Sequence, residues 1–148
     1  MLSGAERFGR LIPRCDSLTE HQRKLFQEGI ALFNRGQFFD CHEVLEEVWL
    51  EFSGDRKKFL QGLIQLTVAF HHLRNQNRVG AERLLTAAVE KLAGDSPERE
   101  LIDVDALLAS VNPLRDQISA GEPLERATAP QIRWPQIHWK EPRGISAK

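Results

Sequence analysis

The segment from Asp55 to Asn75 constrains the fold of this chain more strongly than any other part of its sequence. Read as a helix, the segment carries two apolar arcs that together cover nearly its whole circumference. The first arc comprises Phe59, Leu63, Leu66, Phe70 and Leu73, and the second comprises Leu60, Ile64 and Val68. A helix that is apolar on almost every side has to be enclosed by other elements, so we predict that it lies at the centre of the fold.

Four further segments have the apolar periodicity of amphipathic helices. The first begins at Thr19, where Gln22 three residues later completes a capping-box pattern, and it ends at Gly36. The other three are predicted at about residues 37–52, 78–93 and 104–118. Asp103 is placed to cap the last of them. Strand signals are absent, so the sequence predicts an all-α, compact bundle of about five helices.

An internal repeat, offset by 40 residues, groups these helices into two antiparallel hairpins. Gly36, Cys41, Leu45 and Val48 align with Gln76, Ala81, Leu85 and Ala88. The spacing is loosely similar to that of a tetratricopeptide hairpin, although two repeats are too few for a solenoid. We therefore expect one helical domain over residues 17–119, with a loosely ordered lead-in at 1–16 and an extended C-terminal tail at 120–148.

Composition and charge exclude several classes of partner. The 148 residues include 20 Lys and Arg and 21 Asp and Glu, which gives a formal net charge of −1. This balance provides neither the basic footprint of a nucleic-acid-binding domain nor a polybasic membrane patch. Cys15 and Cys41 lie far apart without a CxxC pair, as is typical of proteins in a reducing compartment. We expect a cytoplasmic protein that binds neither nucleic acid nor membrane, and the sequence requires no cofactor.

A polar seam runs along the second helix beside its apolar stripe. Phe39, His42, Glu46 and Trp49 follow one another at positions i, i+3, i+7 and i+10. His42 and Glu46 are one helical turn apart, so their side chains can contact each other and a common third group. Cys41 instead belongs to the apolar stripe, and we interpret it as an inert core thiol rather than a nucleophile.

The third helix carries Gln61, Gln65 and His72 between its apolar arcs, whereas His71 is interpreted as a packing residue. If the second and third helices form a hairpin, Glu46 lies opposite Gln61, and His42 lies opposite Gln65. The two polar sets therefore come into register. Burying a carboxylate without partners is costly, so we expect either a hydrogen-bonded network or a site that is open to a ligand or water.

Three interpretations of this cluster remain open. It is a hydrogen-bonded network that fixes the pairing of the two helices, a pocket, or a metal site. The pocket is lined by His42, Glu46, Trp49, Gln61, Gln65 and His72 and takes a small molecule or a peptide. The metal site uses His42, Glu46 and His72, although glutamine is a poor ligand and the paired Glu-x-x-His motifs of di-iron bundles are absent.

A short motif, Gln-Ile-basic-Trp, occurs twice in the tail, once on each side of Pro135. Because tryptophans seldom remain exposed, we expect Trp134 and Trp139 to anchor the tail on the helices of this chain, or on a partner or dimer mate. Arg133 and His138 immediately precede the two tryptophans and are candidates to contact the acidic face of the second helix. This face comprises Glu43, Glu47 and Glu51.

The segments 33–46 and 59–65, with Trp49 and the His71-His72 pair, closely resemble the uncharacterised family known as domain of unknown function 309. The likeness covers about residues 19–92. It implies a compact all-helical domain whose signature residues are His42, Glu43, Glu46, Trp49, Gln61 and Gln65. It implies no reaction, because no established one is associated with the family.

These observations favour a non-enzymatic binding or interaction module with a polar pocket between the second and third helices. The enzyme alternative is a hydrolase in which Glu46 or His42 acts as a general base, with or without a metal ion. The remaining alternative is a purely structural protein that forms homo-oligomers. The expected partners are accordingly a small molecule, a peptide or a second copy of the chain.

Overall fold

A computed structural model describes residues 18–121 and 134–140 of the chain. Its helices are α1 (Glu20–Asn34), α2 (Phe38–Trp49), α3 (Gly54–Arg74), α4 (Arg78–Leu92) and α5 (Val104–Ser119), with a 3-10 helix (Pro97–Glu100) between α4 and α5. The described residues form no strand beyond one isolated bridge between Ile102 and Trp139. The predicted all-α class with five helices is confirmed. Within these ranges no helix has both the length and the apolar character that crossing a membrane demands. The predicted lead-in at 1–16 lies outside the described residues.

The predicted helix caps are present. At the start of α1, the Gln22 N–H donates to Thr19 Oγ1 and the Thr19 N–H donates to Gln22 Oε1, both at 3.0 Å. At the start of α5, Asp103 accepts a hydrogen bond from the Ala106 N–H, also at 3.0 Å. Such caps pair backbone N–H groups that the helix itself leaves without acceptors. They are local, which is why the sequence alone identifies them.

The internal repeat is visible in the two turns that join α1 to α2 and α3 to α4. Gly36 has φ 78° and Gln76, at the equivalent position, has φ 68°. The Gly36 N–H donates to Phe33 O at 2.9 Å, and the Gln76 N–H donates to Leu73 O at 3.0 Å. Both hairpins therefore turn through the same left-handed residue, although glutamine adopts that conformation less readily than glycine. The loose likeness to a tetratricopeptide hairpin stays a prediction.

α3 lies between α2 and α4, and its contact with α4 is the more extensive. Both of its predicted apolar arcs contribute fully buried side chains, among them Leu60, Leu63 and Phe70. Gly62 allows the close approach of α4, because a Cβ atom at this position would lie 3.0 Å from Lys91 Cβ. The central position predicted for this helix is therefore observed.

Three contacts define the register of the α2–α3 hairpin. Cys41 Sγ lies 3.7 Å from Thr67 Oγ1. The Phe38 and Phe70 ring centroids are 5.4 Å apart. Lys57 Nζ lies 4.3 Å from the centroid of the Trp49 ring. These pairs place α2 and α3 close to the register on which the predicted polar cluster depends.

A buried ion pair connects the 3-10 helix to the first turn of α3. Arg56 Nε lies 2.9 Å from Glu98 Oε2, and Glu98 is almost completely buried. The Ser96 hydroxyl donates to Glu98 Oε1 at 2.6 Å. A buried carboxylate requires such partners, since its charge has lost the solvation that water provides. The pair thus holds the α4–α5 connection against α3.

The described part of the tail, residues 134–140, packs on the same chain. The Trp134 ring centroid lies 5.3 Å from that of Phe38 and 5.2 Å from that of Phe70. The Arg74 guanidinium lies 5.3 Å from the Trp134 centroid. Trp139 makes an edge contact with Phe26 at 5.8 Å and stays 45% exposed. Of the two tryptophans, Trp134 is therefore the more enclosed anchor.

The backbone of the tail pairs with α1 and with the segment before α5. The Ile137 N–H donates to Asn34 Oδ1 at 2.7 Å, and Asn34 Nδ2 donates to Ile137 O at 2.9 Å. The Lys140 N–H donates to Leu101 O at 2.8 Å. Ile137 itself is buried in the core. A buried aliphatic residue therefore holds the tail against the helices, as its tryptophans do.

The expected contact between His138 and the acidic face of α2 is not formed. The His138 side chain is exposed, and its carbonyl accepts a hydrogen bond from the Asp103 N–H at 2.8 Å. On the acidic face, Glu51 instead accepts a 2.6 Å hydrogen bond from Gln22 Nε2. The backbone of His138 is thus tied to the segment before α5. Arg133 lies outside the described residues.

Candidate functional site

The predicted residues of α3 lie on its outward face. Gln61, Gln65, Val68 and His72 share one side of the helix, and all are half-buried; we call this set the α3 stripe. α2 borders the stripe on one side, where the rings of Phe39 and His71 are 5.9 Å apart. α4 borders it on the other side, where a Cβ at Gly80 would lie 3.1 Å from His72 Cδ2. The stripe is thus a polar surface between two flanking helices.

On α2, His42 and Glu46 form the contact that their spacing predicts. His42 Nε2 lies 3.5 Å from Glu46 Oε2, and the Glu46 side chain is 50% exposed. The expected hydrogen bond from Gln61 to Glu46 is not among those of the described residues. Glu46 lies at the outer edge of the hairpin, so water solvates its charge and the carboxylate needs no partner from α3.

The aromatic cluster at the edge of the polar seam on α2 includes His71, which was predicted to be a packing residue. Phe39 is 53% exposed, and its ring lies 5.8 Å from that of His42 and 5.9 Å from that of His71. His71 therefore joins the α2 seam. Its position opposite Phe39 in the hairpin register is the signal that could have identified it.

His72 lies at the border of the α3 stripe with α4. Its Nδ1 is 3.4 Å from Asn77 Nδ2. Of the three residues proposed as metal ligands, the structure brings His42 and Glu46 together and places His72 elsewhere. Within residues 18–121 and 134–140, no three His, Cys, Asp or Glu side chains are arranged so that they could hold a metal ion.

Two enclosed polar atoms lie on the facing helices of the hairpin. Trp49 Nε1, a donor, and Gln65 Oε1, an acceptor, have no hydrogen-bond partner within the described part of the chain. Leaving a buried donor or acceptor unpaired costs about 1–3 kcal/mol. Lys57 Nζ covers the Trp49 ring. These atoms are therefore the least satisfied polar groups of the predicted site.

Cys41 has the properties of the inert core thiol that the sequence predicts. Its Sγ donates to Gly29 O at 3.1 Å, and the residue is fully buried between α1 and α3. Burial raises the pKa of the thiol from 9.0 to about 12, because desolvation disfavours the thiolate. The thiol is therefore neutral under physiological conditions and is a poor nucleophile.

A separate hollow of about 500 Å³ lies near the first turn of α3 and contains none of the predicted site residues. It is lined by Asp55, Asp95, Ser96, Pro97, Arg99 and Glu100. Arg99 is already engaged, since Nη1 donates to Leu92 O at 2.6 Å and Nη2 lies 3.3 Å from Asp105 Oδ1. The hollow is accordingly not the pocket that the sequence predicts.

Comparisons with known proteins agree with the predicted resemblance. A model of the family described as domain of unknown function 309 matches residues 26–84, which include all six predicted pocket residues. An uncharacterised protein of Bacillus subtilis, YpuF, is 33% identical over 124 residues, which cover 74% of this chain and 71% of YpuF. An uncharacterised protein of Aquifex aeolicus is 32% identical over 73 residues, which cover 49% of this chain and 22% of that protein. Both relatives are described as uncharacterised, so the comparisons identify a family without an activity.

Proposed function

We propose that this chain, which belongs to the domain of unknown function 309 family, is a non-enzymatic binding module. Its ligand is a small polar molecule or a peptide that contacts the α3 stripe and the adjoining edge of α2. The observation that carries this proposal is the pair of enclosed atoms Trp49 Nε1 and Gln65 Oε1 on the two helices, neither of which has a hydrogen-bond partner among the described residues.

The two atoms have complementary hydrogen-bonding characters. The Trp49 indole can only donate a hydrogen bond, whereas the Gln65 side-chain oxygen accepts one. A ligand that carries an acceptor for the indole and a separate donor for the glutamine oxygen, as a peptide does, offers a partner to each. Because each unpaired buried atom costs about 1–3 kcal/mol, a ligand that pairs them gains affinity from their satisfaction.

Access to this site depends on Lys57. Its ammonium group lies 4.3 Å above the Trp49 ring, and the residue is half-buried. A lysine side chain is flexible and strongly hydrated, so it can rotate away from the ring into water. A ligand that binds here therefore replaces the cation–π contact of Lys57 with its own contact to the Trp49 indole.

Support for the hydrolase alternative is weaker. His42 and Glu46 form a two-residue contact, as a general base and its orienting carboxylate would. However, the Glu46 carboxylate is half exposed, and within the described residues no third His, Cys, Asp or Glu joins the pair in an arrangement that could hold a metal ion. The pair therefore supports general-base catalysis less well than the enclosed Trp49 and Gln65 atoms support binding.

We test the binding proposal by nuclear magnetic resonance on the full chain, with the Trp49 indole N–H as the reporter. The probes are N-methylacetamide and short blocked peptides, which carry the required donor and acceptor. We expect a probe to shift the Trp49 indole signal and the Gln65 side-chain amide signals. Gln65→Met should reduce the shift of the Trp49 indole signal, whereas Gln27→Met, on the exposed face of α1, should not.

Two results would overturn the proposal. The first is that no amide probe moves either signal at millimolar concentration. The second is that the shift of the Trp49 indole signal is unchanged in Gln65→Met, since an effect unrelated to this acceptor would then cause it.

We also infer a cytoplasmic location, which rests on the sequence pattern of Cys15 and Cys41. They lack the spacing of a disulfide framework or a zinc ribbon, as expected in a reducing compartment. Cell fractionation with an antibody against the native protein tests this location, and recovery in an oxidising compartment would contradict it.

A further inference from the structure

The outward face of α2 carries two large exposed apolar side chains. Phe39 is 53% exposed and Leu50 is 68% exposed. They are three helical turns apart on one stripe, at a separation of about 16 Å for a rise of about 1.5 Å per residue. Glu43 and Glu46 lie between them on the same stripe, at i+4 and i+7 from Phe39. We call the four residues the α2 crest.

The charge on this helix is entirely negative. α2 and the residues just after it include Asp40, Glu43, Glu46, Glu47 and Glu51, without a lysine or arginine. Glu43, Glu47 and Glu51 are spaced at i and i+4, where like charges repel each other. Acidic side chains near the C-terminal end of a helix also oppose its macrodipole. This composition therefore disfavours the isolated helix, so helix stability does not account for it.

Two cations at the start of α3 contact other groups. Lys57 lies over the Trp49 ring, and Arg56 is paired with Glu98. Within the described ranges, Glu43 and Glu47 make no ion pair. Within the described residues, the crest therefore presents its apolar side chains beside carboxylates that have no lysine or arginine partner.

We propose that the α2 crest is the docking surface for a basic amphipathic helix of a partner protein. Two apolar side chains of that helix, about three turns apart, cover Phe39 and Leu50. Lysine or arginine residues between and beside them face Glu43 and Glu47. Charge complementarity selects this occupant, because a neutral or acidic helix would leave the carboxylates opposite no cation. The crest adjoins the proposed ligand site but includes neither Trp49 nor Gln65, so this inference does not depend on that site.

The affinity of the crest for a basic helix should depend on the salt concentration. The carboxylates of the crest are exposed, so salt screens their attraction to a basic helix over a distance of about 10 Å at 0.1 M. The apolar contacts are less sensitive to salt. Affinity should therefore fall several-fold between about 50 mM and about 300 mM salt without being abolished.

The test uses fluorescence anisotropy of a labelled synthetic helix of about 18 residues with the full-length protein. The peptide carries two leucines about three turns apart, with lysines flanking them on the same face. A control peptide has the same composition with its leucines on opposite faces. We expect the first peptide to bind at least about tenfold more tightly than the control, because only it covers both apolar residues of the crest.

Three variants examine the surface itself. Leu50→Ser combined with Phe39→Ser should weaken binding of the peptide about tenfold. Glu43→Lys combined with Glu47→Lys should abolish that binding and create binding of a peptide whose lysines are replaced by glutamates. Val79→Ser is the matched control, since Val79 is as exposed as Leu50 but lies on α4. If the double serine variant does not fold, as judged by circular dichroism, Leu50→Ser alone replaces it.

Each alternative outcome overturns the proposal. Equal affinity for the two peptides would indicate binding by charge alone. Retention of binding in the serine variants would place the peptide elsewhere on the protein. Sedimentation that shows a dimer dissolved by the serine substitutions, without peptide binding, would identify a second copy of the chain as the occupant.

Discussion

Asn34 holds the backbone of Ile137 with two hydrogen bonds, although the two residues are 103 positions apart in the chain. The side-chain oxygen accepts from the Ile137 N–H, and the side-chain nitrogen donates to the Ile137 carbonyl. The Asn34 side-chain amide thus satisfies both backbone hydrogen-bonding groups of Ile137, as a neighbouring β-strand would. Because Ile137 is buried, these backbone groups need such partners.

We predict that Asn34→Ala lowers the free energy of unfolding by about 1–3 kcal/mol, because it leaves two buried backbone groups of Ile137 unpaired. Urea denaturation of the full chain measures the change. Gln27→Ala, at an exposed site on the same helix, is the control and should have little effect. An equal loss in both variants would show that the tail is not held by Asn34.

The two tail tryptophans should differ in their contribution to stability. Trp134 contacts Phe38, Phe70 and Arg74, so Trp134→Ala should lower the free energy of unfolding by about 2–3 kcal/mol. Trp139 is 45% exposed, so Trp139→Ala should cost less than about 1 kcal/mol. Chemical denaturation of both variants tests the difference. A larger loss for Trp139→Ala than for Trp134→Ala would contradict the observed packing of Trp134.

The buried ion pair of the 3-10 helix should contribute far more to the free energy of unfolding than an exposed ion pair does. Glu98→Ala removes the buried carboxylate from its ion pair with Arg56, and the expected loss is about 3–5 kcal/mol. Asp105→Ala breaks the exposed pair with Arg99 and should cost less than about 1 kcal/mol. Thermal and urea unfolding of the two variants provide the comparison. Similar small losses would mean that Glu98 is solvated in solution.

Cys41 should be unreactive in the native state and should make stability depend on alkaline pH. Its folded pKa of about 12 lies above the unfolded value of 9.0, so the unfolded chain loses its proton first as the pH rises. The contribution of the neutral thiol is complete below pH 9.0 and is lost progressively towards pH 12. A Cys15→Ser variant, in which Cys41 is the sole cysteine, should react slowly with a thiol reagent until it is denatured.

Cys41→Ala supplies the control for that pH dependence. It should unfold with a weaker pH dependence above pH 9.0 than the Cys15→Ser variant does. Rapid alkylation of Cys41 at neutral pH in the folded protein would disprove its burial between α1 and α3.

Glu46 should contribute little to stability, in contrast to what its alignment with Gln61 suggests. Its side chain is half exposed and contacts His42 on its own helix. Glu46→Ala and Glu43→Ala should therefore each change the free energy of unfolding by less than about 1 kcal/mol. A loss above about 2 kcal/mol for Glu46→Ala alone would indicate a buried bond across the hairpin.

Local signals in the sequence were sufficient to predict the helices and their order. The capping pair Thr19 and Gln22, and the turn at Gly36, depend on residues a few positions apart, so neighbouring sequence encodes them completely. The central position of α3 followed from its apolar arcs, since a helix without a polar face has to be covered.

The candidate site was only partly predictable. The register of the α2–α3 hairpin followed from its short turn, and it placed His42 and Gln65 on facing helices. Helical periodicity shows which face a side chain occupies, but not which neighbour covers it. The packing of α4 therefore decided that His72 lies beside Asn77, while His71 joins Phe39.

The sequence by itself determined that this chain forms five helices, their order and approximate extent, and which family it belongs to. Tertiary structure alone decided the exposure of Glu46 and the position of the tail. The tail has no periodic pattern, and its partners Asn34, Phe70 and Leu101 lie far from it in the chain. Contacts at such separation depend on the three-dimensional arrangement of α1 and α3, which no local segment encodes.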